Sequence, residues 1–297
     1  MNHYMVNPFC LAVFLSGDES SAALNLTSGP TIIPIILNEF PKFVGILTSV
    51  YIFRMAKFYT MDTEQVIAKP WYVTLHQLAD YLIHQLGGGK QTVKLSNIIN
   101  LHKGGTLLFV LVLMYVYHNF SLDAWIYLAL HGSYGICWVL KHLFFRDKRW
   151  ERKVTWGSAI FTWFFLASYW VAPWLLISDP PLEAADSGFY ASGIMLYVLG
   201  LFLMIGADGQ KHFTLKFHPG LITTGMYSSI RHPNYLGEMM VYASFALISR
   251  HWISWVILVV WWALFFLPNM LMIERSVSRY PGWKAYTRQA GFLWPKW

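Results

Sequence analysis

The stretch RHPNYLGE, which ends at Glu238, places several polar side chains directly before an apolar run. Pro233 suits the first position of a helix, because the backbone N–H that it lacks would be unpaired there. Arg231 and His232 lie just before it, and Asn234 and Glu238 are four residues apart, so they share one helix face. Because a helix start offers free N–H groups and a partial positive charge, these side chains predict a site for an anionic ligand.

Two residues of this stretch differ in how strongly they indicate function. A carboxylate near the middle of a membrane costs about 2.5 to 3.5 kcal/mol, so an acid such as Glu238 at the start of a spanning helix indicates a functional role. Arg231 is less specific, since a basic residue at a helix end also serves as an anchor on the cytoplasmic side.

Further polar side chains fall on the same predicted membrane face. Asp208 and Lys211 follow the fourth apolar segment, and another group follows the sixth: Glu274, Arg275 and Tyr286. Basic side chains suit phosphates, carboxylates suit ribose hydroxyls and aromatic side chains suit rings. Together these residues predict one pocket for a large phosphate-bearing cofactor.

The composition indicates an integral membrane protein. Of the 297 residues, 56% are hydrophobic and 12% are charged, whereas about a quarter are charged in soluble domains. The net charge of +7 comes from Lys and Arg residues that lie between apolar runs. We therefore predict contacts with membrane lipids and no nucleic-acid binding. The histidines are not clustered as metal ligands are, so no metal is predicted.

Six segments approach the length of about 20 apolar residues that crossing a membrane requires. They are 104–120, 124–141, 155–177, 189–207, 235–249 and 252–273. The last two follow each other closely and predict a tight helical hairpin with His251 near its turn. Segment 31–53 is interrupted by prolines and charged residues, and is either a broken segment or a seventh span. The sequence thus predicts an all-α integral membrane protein, a bundle of six to seven transmembrane helices.

Charge in the connecting segments predicts the orientation of this bundle. Segment 142–153 carries five basic residues, whereas 178–188 carries three acids and no base. Because basic loops stay in the cytoplasm, the C-terminus and the cofactor site are predicted to face it. Lys103, just before the first span, fits as a cytoplasmic flank. The membrane would be the endoplasmic reticulum in a eukaryote and the inner membrane in a bacterium.

The second span carries a candidate for the substrate side, in LHGSYGICWVLK. His131, Tyr134 and Trp138 share one helix face. A buried tyrosine hydroxyl here could donate to a developing enolate oxygen, as an oxyanion hole does. The alternative is helix packing alone, since Gly132 and Gly135 are small residues that suit close helix contacts.

The C-terminal part of the chain resembles the steroid 5-alpha-reductase family. The resemblance is carried over about 110 residues by the elements ADGQK, TTGMYSSIRHPNYLGE and ERSVSRYPGWKAY. It implies NADPH-dependent reduction of a carbon–carbon double bond conjugated to a carbonyl in a lipophilic substrate. The cofactor residues that it implies are Asp208, Arg231, Asn234, Tyr235, Glu238 and Arg275.

The sequence divides into three predicted regions, and the resemblance adds a carbonyl-binding pair. Residues 189–297 would form the cofactor domain, 104–188 the substrate side, and 1–103 an N-terminal region with the broken segment and an amphipathic helix after Pro70. In steroid reductases an N-terminal Gln-Glu-Leu-Pro element and a tyrosine polarise the substrate carbonyl. Here Asn38-Glu39-Phe40-Pro41 is a distant counterpart, so Glu39 is predicted to act with Tyr134.

A second resemblance points to methyl transfer. Membrane methyltransferases for isoprenylcysteine and phospholipids carry an Arg-His-Pro motif with a following Tyr and Gly and a late glutamate, and they bind S-adenosylmethionine there. The matching residues are Arg231, His232, Pro233, Tyr235, Gly237 and Glu274. Asn234, Glu238 and Asp208 favour the reductase. A non-catalytic membrane scaffold or sterol-binding protein is the third interpretation, in which the polar residues only cap helix ends.

Overall fold

Helices dominate the part of the chain that the computed structural model describes, residues 69–183 and 185–296. The helices are α1 (Trp71–His84), α2 (Leu95–Val116), α3 (Leu122–Tyr127), α4 (Ser133–Phe144), α5 (Trp156–Ala167), α6 (Val171–Ser178), α7 (Ser187–Phe217), α8 (Pro233–Ser249), α9 (Trp252–Trp261), α10 (Leu267–Val277) and α11 (Trp283–Gln289). Strands β1 (Val93–Lys94) and β2 (Lys153–Val154) pair antiparallel. The all-α prediction thus misses one short strand pair.

Three pairs of helices run on without a break. A π-helical turn, Leu128–Gly132, joins α3 to α4, and a second, Trp262–Phe266, joins α9 to α10. The 3-10 turn Ser168–Trp170 joins α5 to α6. A further 3-10 turn, Gly225–Tyr227, precedes α8. Because a π-turn adds a residue to the helix, it changes which side chains share a face after it.

Four helices are long and apolar enough to cross a membrane: Leu95–Val116, Trp156–Ser178, Ser187–Phe217 and Trp252–Val277. Large apolar side chains cover their outer faces, including the exposed Phe164 and Phe202. Outward-facing apolar side chains of this kind suit contact with lipid. The other two predicted spans are also helical, but they are not among these four; α8 has only 17 residues.

Several predicted helix boundaries need correction. The first span was predicted to begin at residue 104, but α2 begins at Leu95, because Leu95 and Ile99 are buried against the core. Lys103 therefore lies inside a helix and is 4% exposed, so its assignment as a cytoplasmic flank was wrong. Similarly, α7 continues past 207, so Asp208 and Lys211 lie within it.

Other local predictions are confirmed. The amphipathic helix after Pro70 is α1, and it ends before three glycines with positive φ, Gly87, Gly88 and Gly89. The hairpin between α8 and α9 turns at Arg250, which has a left-handed backbone with φ 53°. His251 then caps α9, since its Nδ1 accepts a hydrogen bond of 3.2 Å from the Ile253 N–H.

Two glycine contacts set the crossings that form the site. A Cβ placed on Gly135 of α4 would lie 2.0 Å from the Lys103 carbonyl oxygen of α2. A Cβ on Gly237 of α8 would lie 2.4 Å from the Met204 backbone nitrogen of α7. Only glycine permits such close approach of two helix backbones. The crossings bring α2 onto α4 and α7 onto α8, so polar side chains from four helices meet inside the bundle.

Candidate functional site

The centre of the site is a buried polar group from α2, α4 and α8, which we call the lysine cluster: Lys103, Tyr134, Glu238 and Tyr242. Lys103 Nζ donates to the Tyr134 hydroxyl at 2.9 Å and also to the Tyr242 hydroxyl. The Tyr134 hydroxyl donates to Glu238 Oε1 at 3.1 Å. Glu238 Oε1 lies 3.6 Å from Lys103 Nζ, so the cluster contains an ion pair.

Aromatic rings surround the ammonium group of Lys103. Its Nζ lies 4.5 Å from the ring centre of Trp138, 4.6 Å from Tyr134 and 4.8 Å from Tyr242. Aromatic faces attract cations, and this attraction strengthens where water is excluded. The rings and the Glu238 carboxylate together stabilise a charge that would otherwise be costly to bury. The cluster can therefore hold proton donors ready inside an apolar bundle.

A second polar group lies at the C-terminal part of α4, next to the lysine cluster. Lys141 Nζ binds Asp208 Oδ2, and Asn234 Nδ2 donates to Asp208 Oδ1 at 3.1 Å. Lys141 Nζ also lies 4.4 Å from the ring centre of Trp138. Because Trp138 contacts Lys103 and Lys141, this Asp208 group and the lysine cluster share one wall.

A crevice opens beside the Asp208 group. It is lined by charged and aromatic side chains, among them Trp138, Lys141, His142, Asp147 and Trp150. Burial alone would raise the pKa of the Asp147 carboxyl, but hydrogen bonds from Arg149 outweigh it and lower the pKa to about 2. Partial burial alone would lower the pKa of the Arg149 guanidinium, but the hydrogen bond to Asp147 and the negative charges of Asp147 and Asp208 raise it. Arg149 therefore stays cationic close to Asp208.

Such a crevice fits the chemistry of a dinucleotide. Lys141 and Arg149 supply positive charge for phosphates, and the two tryptophans supply surfaces for rings. Asp208 and Asn234 offer an acceptor and a donor for ribose hydroxyls. Among residues 69–183 and 185–296, no three metal-ligating side chains are grouped to hold a metal ion.

A third group ties the start of α8 to the end of the chain, and we call it the C-terminal clamp. Arg231 Nε and His232 Nε2 both lie within 3.0 Å of Glu274 Oε1, at 2.9 Å and 3.0 Å. Arg231 Nη1 donates to the Ala290 carbonyl at 2.5 Å. Arg231 N–H donates to the Gly291 carbonyl at 2.8 Å. These bonds already satisfy much of the donor capacity of Arg231.

A hydrogen bond from Tyr286 also ties the C-terminal segment to the turn before α8. Its buried hydroxyl donates to the Tyr227 carbonyl at 2.7 Å. Burial raises the pKa of the Tyr286 phenol to about 12, with the nearby charges of Arg231 and Glu274 acting in opposite directions. Burial likewise raises the pKa of Tyr227, whose hydroxyl donates to the Ala207 carbonyl. Both phenols therefore remain neutral hydrogen-bond donors in this segment.

Comparison with known proteins places the whole arrangement in one family. A family model described as a protein of unknown function, DUF1295, matches residues 94–290. The chain belongs to this family. The DUF1295 family is steroid 5-alpha-reductase-like. All the residues of the lysine cluster, the Asp208 group and the crevice lie within the DUF1295 region.

A curated relative that matches the chain is itself uncharacterised. An uncharacterised protein of Schizosaccharomyces pombe is 41% identical over 124 residues. The matched stretch covers 41% of each protein, so this chain spans less than half the length of that curated relative. No solved structure matches the chain significantly.

The DUF1295 region brings the predicted site residues together only in part. Tyr134 and Glu238 meet in the lysine cluster, and Asp208 meets Asn234, whereas Arg231 joins the clamp. Tyr235 packs edge-to-face against His232 and Phe266. Lys211 lies on α7 within range of the charges of Asp147 and Asp208. The predicted residues therefore divide among the lysine cluster, the Asp208 group beside the crevice, and the clamp.

Among the described residues, His131 and Arg275 make no hydrogen bond or ion pair with these groups, although the His131 ring lies 6.4 Å from the rings of Tyr134 and Tyr242. His131 is buried, but its Nδ1 pairs with the Tyr127 hydroxyl at 3.0 Å and its ring stacks on Phe245 at 4.2 Å. The π-turn of α3 and α4 ends at Gly132, between His131 and Tyr134. Arg275 is exposed near the end of α10. Glu39 lies outside the described residues.

Four functional candidates were missed from the sequence: Lys103, Lys141, Arg149 and Tyr242. Arg149 was counted only among the basic residues of segment 142–153. Lys103 was placed before the first span, and Lys141 marked the end of the second. Tyr242 looked like one more aromatic residue of an apolar helix. A usable signal did exist, because Glu238 and Tyr242 are four residues apart and therefore share a face of α8.

Proposed function

We propose that the chain is an NADPH-dependent membrane reductase of a carbon–carbon double bond conjugated to a carbonyl, in a lipophilic steroid-like or isoprenoid-like substrate. The observation that carries the proposal is the lysine cluster, an ammonium, two phenols and a carboxylate inside an apolar bundle. Such a set of donors suits a reaction that develops negative charge on a carbonyl oxygen. Membership of a steroid 5-alpha-reductase-like family agrees with it.

The chain's own contribution to this reaction is orientation and charge stabilisation. Bound NADPH would supply the hydride. A phenol of the cluster would donate a hydrogen bond to the carbonyl oxygen, and Lys103 would stabilise the negative charge that develops there. Because water is excluded from the bundle, these electrostatic interactions would act in a low dielectric and need little reorganisation.

In this proposal the cofactor lies in the crevice beside the Asp208 group. Its phosphates would contact Lys141, Arg149 and Lys211, and its ribose hydroxyls would contact Asp208 and Asn234. Trp138 stands between the crevice and Lys103, so the reactive end of the cofactor would reach the cluster past this ring.

The proposal also includes an orientation. In addition to the four long apolar helices, the helix formed by α3 and α4 and the helix α8 would each cross the membrane, which gives six spans. Segment 31–53 would be a seventh span. The basic segment 142–153 and the C-terminus would face the cytoplasm, where NADPH is available. The membrane would be the endoplasmic reticulum or a bacterial inner membrane.

Methyl transfer from S-adenosylmethionine is the second candidate, and one observation favours it. Arg231, His232 and Glu274, which belong to the methyltransferase motif, meet in one ion-paired group. The reductase remains the stronger proposal for two reasons. The hydrogen bonds of Arg231 are already taken up within this group, and methyl transfer leaves the lysine cluster without a role.

Equilibrium binding to the detergent-purified chain tests the two candidates. Binding of NADPH is followed by energy transfer from tryptophan to the nicotinamide, and binding of S-adenosylmethionine by calorimetry. We expect saturable NADPH binding that weakens by about tenfold or more in Lys141→Gln. Lys148→Gln is the matched control, since it removes the same charge from an exposed side chain in the loop that follows α4.

The outcomes separate the proposals. Binding of S-adenosylmethionine alone overturns the reductase in favour of methyl transfer, and binding of neither cofactor refutes both. If NADPH binds, the next measurement is NADPH oxidation with a panel of lipophilic enones, matched with their saturated ketones. Turnover of the enones but not of the ketones identifies reduction of the double bond.

A further inference from the structure

The hydrogen bonds around Lys103 give different roles to two neighbouring phenols. The Tyr134 hydroxyl accepts from Lys103 Nζ and donates to Glu238 Oε1, at 2.9 Å and 3.1 Å. A phenol has only one proton to donate. The proton of Tyr134 is therefore already committed to a carboxylate, which makes Tyr134 a poor donor to a substrate oxygen.

Tyr242 has the opposite arrangement. Its hydroxyl oxygen accepts from Lys103 Nζ, and the Tyr134 hydroxyl is near enough to interact with it as well. Among residues 69–183 and 185–296, no carboxylate or carbonyl oxygen accepts a hydrogen bond from the Tyr242 hydroxyl, whose neighbour is the neutral Tyr134 hydroxyl. Its oxygen is polarised by an ammonium group while its proton remains available to a ligand.

Tyr242 also borders open space. It lines a crevice between α3, α6, α8 and α9, whose other walls include Tyr127, Tyr169, Phe245 and Leu258. The ring of Tyr169 stacks on that of Tyr242 with centres 4.1 Å apart, which fixes its orientation. Mostly apolar walls that carry a few hydroxyls are typical of a pocket for a lipophilic ligand with a polar oxygen.

We propose that Tyr242, rather than Tyr134, is the catalytic donor to the carbonyl oxygen, and that the apolar body of the substrate enters the crevice that Tyr242 lines. This inference rests on the proposed reductase function. Lys103 is then a positioning residue that polarises the Tyr242 hydroxyl, and the carboxylate of Glu238 fixes Lys103 through their ion pair.

The proposed reduction transfers first a hydride and then a proton to the substrate. When a hydride forms a C–H bond at the β carbon, the π electrons of the double bond move toward the carbonyl carbon and the carbonyl π electrons move to oxygen. The resulting enolate oxygen accepts the Tyr242 hydrogen bond. The α carbon then takes one proton from solvent. The substrate gains a hydride and a proton, and the nicotinamide cofactor is oxidised.

Binding of naphthols in the absence of NADPH tests the donor without requiring turnover. A naphthol carries an acidic hydroxyl on a flat apolar body, so it mimics an enolate more closely as its acidity rises. We expect affinity to increase with naphthol acidity in the unmodified protein. In Tyr242→Phe the most acidic naphthol should bind about 10- to 100-fold more weakly, and the dependence on acidity should flatten.

Tyr134→Phe is the matched variant, because it removes one hydroxyl from the same cluster. It should retain the dependence on acidity. Both variants keep their rings, and equal unfolding midpoints would show that the fold is intact. Loss of the dependence in Tyr134→Phe with retention in Tyr242→Phe would overturn the inference. NADPH binding, measured separately, decides the reductase proposal, so the two failures are distinguishable.

Discussion

The two halves of RHPNYLGE serve different parts of the molecule. Arg231 and His232, before α8, turn toward Glu274 and the carbonyls of the C-terminal segment. Asn234 and Glu238, within α8, turn toward Asp208 and Lys103. Each half contains an ion pair, but one clamps a chain end and the other holds charge inside a helical bundle. A single motif can therefore combine a structural clamp with a buried polar cluster.

The surroundings of the two ion pairs explain the difference. The Arg231 guanidinium binds a carboxylate and a backbone carbonyl in a fixed fork, which suits a permanent structural contact. Lys103 has a compact ammonium group with rotatable donors, directed at two hydroxyls and a carboxylate. Lysine is accordingly the cation that suits a proton-donating cluster, and arginine the one that suits a clamp.

Lys103→Met should have the largest effect of any change considered for this comparison. It leaves the Glu238 carboxylate without its cation, which costs about 3 kcal/mol or more in a buried pair. We expect a large loss of stability in detergent unfolding and loss of any reductase turnover. Arg231→Met should cost less, because Glu274 keeps His232 as a partner.

A double-mutant cycle sharpens this result. In Lys103→Met with Glu238→Gln, no buried carboxylate is left unpaired, so we expect a coupling energy of about 1 to 3 kcal/mol between the two positions. The corresponding cycle of Arg231→Met with Glu274→Gln should give a smaller value. Additive effects at Lys103 and Glu238 would show that the two side chains do not form the pair described above.

Gly135→Ala should disturb the lysine cluster through the backbone. The added methyl would lie 2.0 Å from the Lys103 carbonyl oxygen, so α2 and α4 must separate. Overpacking of this kind costs about 1 to 3 kcal/mol. Unfolding in detergent and naphthol binding measure the effect.

Gly105→Ala is the control for this change. It lies on α2 two residues from Lys103, and an added methyl there meets no atom within 4 Å. Because alanine is the better helix former, we expect equal or slightly greater stability, by about 1 kcal/mol at most. A destabilised Gly105→Ala protein would contradict the assignment of the close contact to Gly135.

Glu274→Gln should loosen the C-terminal clamp. The amide still accepts hydrogen bonds, but its interactions with Arg231 and His232 lose the negative charge of the carboxylate. We expect faster hydrogen exchange at the amides of Ala290 and Gly291, by about tenfold. The exchange of amides in α2, remote from the clamp, is the internal control. Equal acceleration in both regions would mean general destabilisation rather than opening of the clamp.

Much of the helical fold could be predicted from the sequence, because apolar runs of membrane length are local features. The helix start at Leu95 could not, since it depends on packing of Leu95 and on the pairing of β1 with β2. Because α2 begins earlier than predicted, Lys103 lies in the core and not at the flank of the first span. The clamp was equally hidden, because it joins Arg231 to carbonyls about 60 residues away. Contacts between residues so far apart in the sequence leave no local pattern.

The smallest predicted effect concerns the loop at the mouth of the crevice. The pKa of Asp147 falls from its ordinary value of 3.8 to about 2, because Arg149 binds the ionised form despite its partial burial. A lowered pKa in the folded state means that the pair stabilises the fold above pH 3.8 and that this contribution disappears as the pH falls to about 2. Since the Arg149 side chain is 54% exposed, the contribution should stay below about 1 kcal/mol.

Thermal unfolding of Asp147→Asn against the unmodified protein measures this contribution. The variant should be slightly less stable at neutral pH, and the difference should vanish in the acid range where Asp147 is protonated. High salt should also reduce it, because the pair is accessible to screening ions. Asp179→Asn, at the exposed end of α6, is the matched aspartate without an arginine fork. A pH-independent difference for Asp147→Asn would mean that the side chain acts through shape or hydrogen bonding, and that the crevice mouth is not held by charge.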